Sequence, residues 1–151
     1  MKQYIGTKII EAAPAVKKGG KVYDLTWPIP RSMEPEEPGY RVRYPDGYES
    51  WSPKDVFEEA YRPTDAMNFG LAIEAAKKGK RIARKGWNGK RQYVELATAI
   101  SYVSPIGAVV NAEHDAIGTQ ALAFVGTSGI QLGWLASQAD MLADDWMIVG
   151  S

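Results

Sequence analysis

The sequence predicts an α+β fold of small antiparallel sheets packed with short helices, and three observations lead to it. Short apolar or alternating runs recur along the whole chain, separated by turns rich in Gly, Pro, Asn and Asp. Between them lie only brief stretches with helix caps, and none is long. The chain is also short, 151 residues and 16.6 kDa, enough for one ordinary domain or two small ones.

Tyr4 to Ala12 reads as a first strand that ends near Pro14, and Lys17-Lys18-Gly19-Gly20-Lys21 reads as a turn. Val22 to Trp27 makes a second strand, stopped by Pro28 and Pro30, before the polar loop Glu34-Pro35-Glu36-Glu37-Pro38-Gly39. Tyr40-Arg41-Val42-Arg43-Tyr44 alternates cleanly, Pro45-Asp46-Gly47 turns, and Tyr48 to Trp51 returns as the second arm of a hairpin. A helix follows, with Ser52 as N-cap, Pro53 at N1 and Asp55 at N3. Its apolar face is Val56, Phe57, Ala60 and Tyr61, and Arg62-Pro63-Thr64-Asp65 links to the second half.

Asn68 caps the next helix, whose buried face is Phe69, Leu71, Ala72, Ile73, Ala75 and Ala76 and whose C′ residue is Gly79. Arg81 to Arg84 is a strand, Gly86-Trp87-Asn88-Gly89 a sharp reversal and Tyr93 to Leu96 the return. Residues 97–119 lack a firm period and read as a long loop with at most one short strand. Leu122 to Val125 and Ile130 to Leu132 are strands around Gly126-Thr127-Ser128-Gly129. Ser137 with Asp140 at N3 forms a capping box, Ala139, Met141, Leu142 and Ala143 face inward, and Trp146 to Val149 is a final strand.

Composition removes many function classes. The chain has no Cys and one His, which excludes disulfide scaffolds, thiolate chemistry and multi-histidine metal sites. No metal or cofactor is expected. No apolar run reaches the roughly 20 residues that cross a bilayer, and the charged, interrupted N-terminus does not read as a signal peptide. An intracellular protein with no membrane partner is therefore expected. Eighteen basic and eighteen acidic side chains cancel, so no global field exists to hold long nucleic acid. The cancellation hides an uneven layout. All eight basic residues of 67–151 lie between Lys77 and Arg91, with no acid among them, and only acids follow. Such a cluster reads either as a solvated face or as a compact phosphate-binding wall, and its scale suits a small anion rather than a duplex.

Two motifs carry chemistry. In Trp87-Asn88-Gly89-Lys90 the indole offers a stacking face and the Asn amide a base or ribose contact, while Arg84 and Lys90 supply cations for phosphates. The plain alternative is a hairpin turn with Trp87 folded over the core. In Trp134-Leu135-Ala136-Ser137-Gln138 the first helical turn, with Ser137 and Gln138, offers donors to anionic or amide groups, while Trp134 equally reads as a packing staple. Asp145 suits a ribose hydroxyl or the fixing of the next turn. His114, between Glu113 and Asp115, has no recognisable nucleophile partner, so the chain does not read as an enzyme.

Met67-Asn68-Phe69-Gly70, Ala83-Arg84-Lys85-Gly86-Trp87-Asn88-Gly89-Lys90 and Trp134-Leu135-Ala136-Ser137-Gln138-Ala139-Asp140-Met141-Leu142-Ala143-Asp144-Asp145-Trp146, in that order, resemble the second type of phage Thoeris anti-defence protein. The resemblance covers residues 67–151, the expected ligand-binding domain; residues 1–66 resemble the extension of longer members. After Lys90 the family commonly continues with Gly-Met, where this chain has Arg91-Gln92. The resemblance implies a non-enzymatic homotetramer with ligand pockets between subunits. It implies sequestration of a cyclic ADP-ribose isomer made from NAD by a Toll/interleukin-1-receptor-type (TIR) sensor, in the cytoplasm of the infected bacterium, and for some members cyclic dinucleotides at a separate site. Carried over by motif, it implies that Trp87 stacks on the adenine or caps its pocket, with Asn88 beside it, and that Trp134, Ser137 and Gln138 line the opposite wall or support it. The other readings are a structural or protein-binding phage module and a signal-cleaving enzyme assisted by His114.

Overall fold

Gly19 and Gly20 both take left-handed backbone, φ 59 and 76, and fold β1 (Glu11–Lys18) back onto β2 (Lys21–Asp24). β3 (Glu37–Arg43) pairs with the other side of β1, and β4 (Glu49–Pro53) closes an antiparallel sheet in the order β2-β1-β3-β4. In the computed structural model, which describes residues 1–87, 91–111 and 119–150, the chain divides into two units, Met1–Arg62 and Pro63–Ser151.

In the first unit the strand expected over Tyr4–Ala12 lies later in the chain. Residues 1–10 join no ladder, and Tyr4 and Ile5 are 89% and 99% exposed. β1 instead runs straight through Pro14. The Leu25 amide donates to the Pro14 carbonyl just past the last β1–β2 pair, Ala15 with Asp24, so the proline sits at the end of that ladder. Glu37, Pro38 and Gly39, expected as loop, are strand because β1 supplies them with partners.

The helix α1 (Lys54–Ala60) also starts one residue late. Ser52 stays in the β3–β4 ladder opposite Tyr40, so Pro53 is the N-cap and no side chain caps the helix. Of the expected apolar face, Phe57 packs on Tyr40 at 4.0 Å and on Tyr61 at 5.0 Å, while Val56 is 59% exposed and Ala60 is exposed as well. Burial, then the neighbouring Tyr44, hold the Tyr61 phenol above its ordinary range.

The second unit contains α2 (Phe69–Lys77), β5 (Arg81–Arg84), β6 (Tyr93–Ala97), β7 (Ser101–Val103), β8 (Val109–Asn111), β9 (Ala121–Gly126), β10 (Gly129–Leu132), α3 (Gln138–Met141) and β11 (Trp146–Val149). Five strands form an antiparallel sheet in the order β10-β9-β6-β5-β11, and β7 and β8 make a separate hairpin. The loop expected over 97–119 thus holds two strands, turned at Gly107 with φ 84. Asn68 caps α2 by accepting from the Leu71 amide, and Gly79 at φ 89 ends it, as the sequence predicts. α3 has its capping box, but it is only four residues long; Ala139, Met141 and Leu142 are exposed rather than inward, and Ala143 alone of that set is half-buried. The turn expected at Asn88-Gly89 lies outside the described residues.

The core of this unit is Ala72, Ala75 and Ala76 of α2 against Ile82, Val94, Met67 and Trp146. Small residues on α2 let the helix sit close to the sheet, and the large indole fills the remaining space. The result is a small α+β fold of antiparallel sheets and short helices.

Gly39 gives a direct check on the first unit. A Cβ there would strike the Trp51 ring and the Ser52 carbonyl. We expect Gly39→Ala to cost about 1–3 kcal/mol through overpacking, seen as faster amide exchange over β1, β3 and β4.

Candidate functional site

The candidate site is an aromatic wall on the second unit. Trp146 opens β11 and is fully buried, with its indole N–H donating to the Asp140 carbonyl at 2.8 Å. Trp87 follows β5, where its amide donates to the Arg84 carbonyl, and its ring stands edge-on to Trp146 at 5.4 Å. Gly133, at φ 76, turns the chain after β10 so that both Gly133 and Trp134 donate their amides to the Leu122 carbonyl. Trp134 then meets Trp87 at 6.0 Å and Trp146 at 6.2 Å, both nearly perpendicular. Phe124 of β9 completes the cluster, 5.4 Å from Trp87 and stacked 6.4 Å from Trp134. Edge-to-face pairs of this kind add about 0.5–1.5 kcal/mol beyond their buried area.

Trp87 and Trp134, 47 residues apart in sequence, are thus neighbours, and each is only half-buried. Packing and exposure coexist in the same rings: one part rests on Trp146 and the rest meets solvent. The sequence reading did not bring Trp146 or Phe124 into this group. Trp146 looked like one more strand residue, although an indole beginning a short strand is itself a signal of a large buried anchor.

The charged residues are arranged differently from the sequence expectation. Arg84 donates from Nε to Asp145 at 2.9 Å and from Nη1 to Asp140 at 3.0 Å. Hydrogen bonds to Asp145 and then Asp140 raise the Arg84 guanidinium above its already high ordinary value. For Asp140, partial burial pushes the carboxyl up, but the bonds from Arg84 and Ser137 outweigh it and leave the group below 3.8. Asp140 also accepts from the Ser137 amide, while its own amide donates to Ser137 Oγ. The capping box therefore uses polar groups of the first turn that the sequence offered for recognition. Gln138 is exposed at the start of α3, and α3 ends before Asp144 and Asp145, so Asp145 is a partner of β5 rather than a residue of the last helical turn.

Of the other cations of the basic stretch, Lys77 lies on α2 and Arg81 on β5. Lys77 is 3.8 Å from Glu74, and Arg81 lies over the Tyr93 ring at 4.5 Å and 3.6 Å from Glu95. Lys78, Lys80 and Lys85 are exposed. Arg91 has φ 76, a left-handed conformation that favours glycine. Asn88 and Lys90, both expected in the site, lie outside the described residues, as do Glu113, His114 and Asp115. Among the described residues no group of three or more His, Cys, Asp or Glu is placed to hold a metal ion, and no helix is long and apolar enough to cross a membrane.

All the aromatic and charged groups of this wall fall inside one family match. A family model described as the Thoeris anti-defense 2-like domain, Tad2-like, covers residues 67–149. The chain belongs to the Tad2-like family. It is 33% identical over 84 residues to "Thoeris anti-defense 2" of Bacillus phage SP01, an alignment spanning 55% of this chain and 94% of that relative. The Tad2-like match leaves residues 1–66 outside it.

The Arg84–Asp140 pair makes stability pH-dependent in a defined direction. Because Asp140 is held below 3.8 in the folded chain, the unfolded chain takes up its proton first as the pH falls. The stabilisation is complete above about pH 5 and fades as the pH drops through the native value. We expect Asp140→Asn to melt below the wild type at pH 7, with the gap narrowing in thermal scans as the pH falls below the ordinary carboxylate range.

Proposed function

We propose that this protein is a non-catalytic sponge for a cyclic ADP-ribose-type immune signal, the glycocyclic isomer made from NAD by a TIR protein, and that it thereby blocks Thoeris antiphage defence. Residues 67–151 carry the ligand and residues 1–66 form an extension. The working form is a homotetramer in the cytoplasm of the infected bacterial host, with pockets between subunits and a separate site for cyclic dinucleotides. Trp87 stacks on the base beside Asn88, Trp134 and the Ser137–Gln138 segment form the facing wall, and phosphates meet Lys90 and its neighbours.

The observation that carries this reading is the wall itself. Trp87 and Trp134 are held edge to face by a fully buried Trp146, with part of each ring open, inside the segment matched to the Tad2-like family. A preorganised aromatic surface binds a base without first paying to order loose rings. Retaining a signal needs affinity and enclosure, with no base or nucleophile poised for chemistry. Nanomolar capture corresponds to about −12 kcal/mol, and each base–aromatic stack contributes about 1–3 kcal/mol.

The test is capture and release. Purified protein is mixed with the TIR-derived cyclic ADP-ribose isomer, separated from free ligand and heat-denatured, and the released material is analysed by mass-resolved chromatography. Depletion followed by recovery of the unaltered isomer is the expected result; a cleaved product would turn the reading toward an enzyme. Trp87→Ala should weaken capture by about 10–100-fold while the chain stays folded, in line with the loss of one stack. Unchanged affinity would remove Trp87 from the site.

A second reading is favoured by the exposed Tyr4, Ile5, Leu25 and Trp27 of the first unit, which lies outside the family match. In it, residues 1–66 bind another phage or host protein. It calls for a partner in pulldowns that disappears when this segment is deleted, with no nucleotide captured.

A further inference from the structure

Arg84 is a polar link between both halves of the aromatic wall. Its carbonyl accepts the Trp87 amide, which sets where that ring leaves β5. Its guanidinium reaches across 56 residues of sequence to Asp140 and 61 to Asp145. Asp140 in turn caps α3 through Ser137, and the Asp140 carbonyl takes the Trp146 indole N–H. The backbone on the far side is tied as well, since the Lys85 amide donates to the Asp145 carbonyl at 3.3 Å. Beside the ring contacts and the bonds to the Leu122 carbonyl, the segment carrying Trp134, Ser137 and Gln138 is thus also registered against Trp146 and Trp87 through this cation.

That cation is already engaged. Two of its nitrogens lie 2.9 and 3.0 Å from separate carboxylates, and its side chain is 24% exposed. A phosphate at Arg84 would have to compete with two carboxylates already bonded to it, and the three groups together carry a net negative charge. Lys78, Lys80 and Lys85, by contrast, are exposed on the same stretch.

We propose that Arg84 is a positioning residue of the binding site: bridging Asp140 and Asp145, it holds the Trp134–Gln138 wall at its spacing from Trp87, and the ligand's phosphates are taken by other cations. This rests on the nucleotide-binding reading above and deepens it. It moves Arg84 and Asp145 from direct ligand contact to support of the groups that make contact.

The experiment compares two probes, the cyclic ADP-ribose isomer and adenosine, which has the base and ribose without phosphate. Binding is measured by calorimetry for the wild type, Arg84→Ala, Asp140→Asn and the double variant, at a temperature where far-ultraviolet circular dichroism shows each folded. Positioning predicts that Arg84→Ala weakens both probes by a similar factor, tenfold or more. It further predicts that the double variant is no worse than Asp140→Asn alone, because Arg84 acts through Asp140. Loss of the isomer with adenosine binding retained would show a direct phosphate contact and overturn the proposal. Unchanged affinity for both in a folded variant would overturn it as well, leaving Arg84 only a structural tie.

Should Arg84→Ala fail to fold, Arg84→Lys and Asp145→Asn, which each weaken the bridge without removing it, carry the same comparison. If the wild type binds neither probe, the sponge reading fails and the positioning claim falls with it; if the wild type binds and folded Arg84→Ala binds equally well, the positioning claim alone fails.

Discussion

The buried indole of Trp146 is the contact on which the second unit depends. It is fully enclosed, and truncating a buried tryptophan costs about 3–5 kcal/mol. It makes three demands on its surroundings. The space it fills must be bounded by small residues, which α2 supplies with Ala72, Ala75 and Ala76. Its N–H must find an acceptor, because an orphaned buried donor costs about 1–3 kcal/mol, and the Asp140 carbonyl serves. Its edges must meet other rings, and Phe69, Trp87 and Trp134 do so. Meeting these demands places α2, α3 and the strand ends around one point, and the exposed parts of Trp87 and Trp134 form a surface as a consequence.

Electrostatics then sharpen what packing sets roughly. Dispersion between rings has little directional preference, whereas a guanidinium bonded to two carboxylates has narrow directional preferences. The Arg84–Asp140–Asp145 group therefore acts as a clasp over the aromatic cluster. The same group explains why the second unit, with its eight basic residues clustered between Lys77 and Arg91, is not basic everywhere: part of that charge is neutralised by the acids of the C-terminal segment.

In the first unit, which lies outside the family match, the charge logic is similar. Arg41 donates to Glu49 and to Asp24 and lies over the Trp27 ring at 5.0 Å, joining β2, β3 and β4 on one face. Bonds from Thr26, chiefly from its amide, and the Arg41 guanidinium hold Asp24 below its ordinary value although burial opposes them. Lys18, nearly enclosed, donates to the Pro30 carbonyl and Glu36 and so fastens the Pro-rich loop to the sheet. On the opposite face Tyr40, Phe57 and Tyr61 stack between sheet and helix.

Local chemistry was legible wherever a residue acts on its own neighbours. The α+β class, the Asn68 cap, the Ser137–Asp140 box and the Gly19–Gly20 turn follow from side chains bonding or bending the backbone within a few positions, so the sequence by itself determined them. Strand limits did not follow, because a ladder ends where its partner ends: Pro14 and Pro38 sit inside strands, and Ser52 is held in a sheet instead of capping a helix. The candidate site divides in the same way. Trp87 and Trp134 could be named from their motifs, since an indole beside a turn is visible in one dimension. That Trp146 backs both of them, and that Arg84 is bonded to acids some 60 residues away, was decided only when the chain closed on itself and paired groups that no local spacing connects.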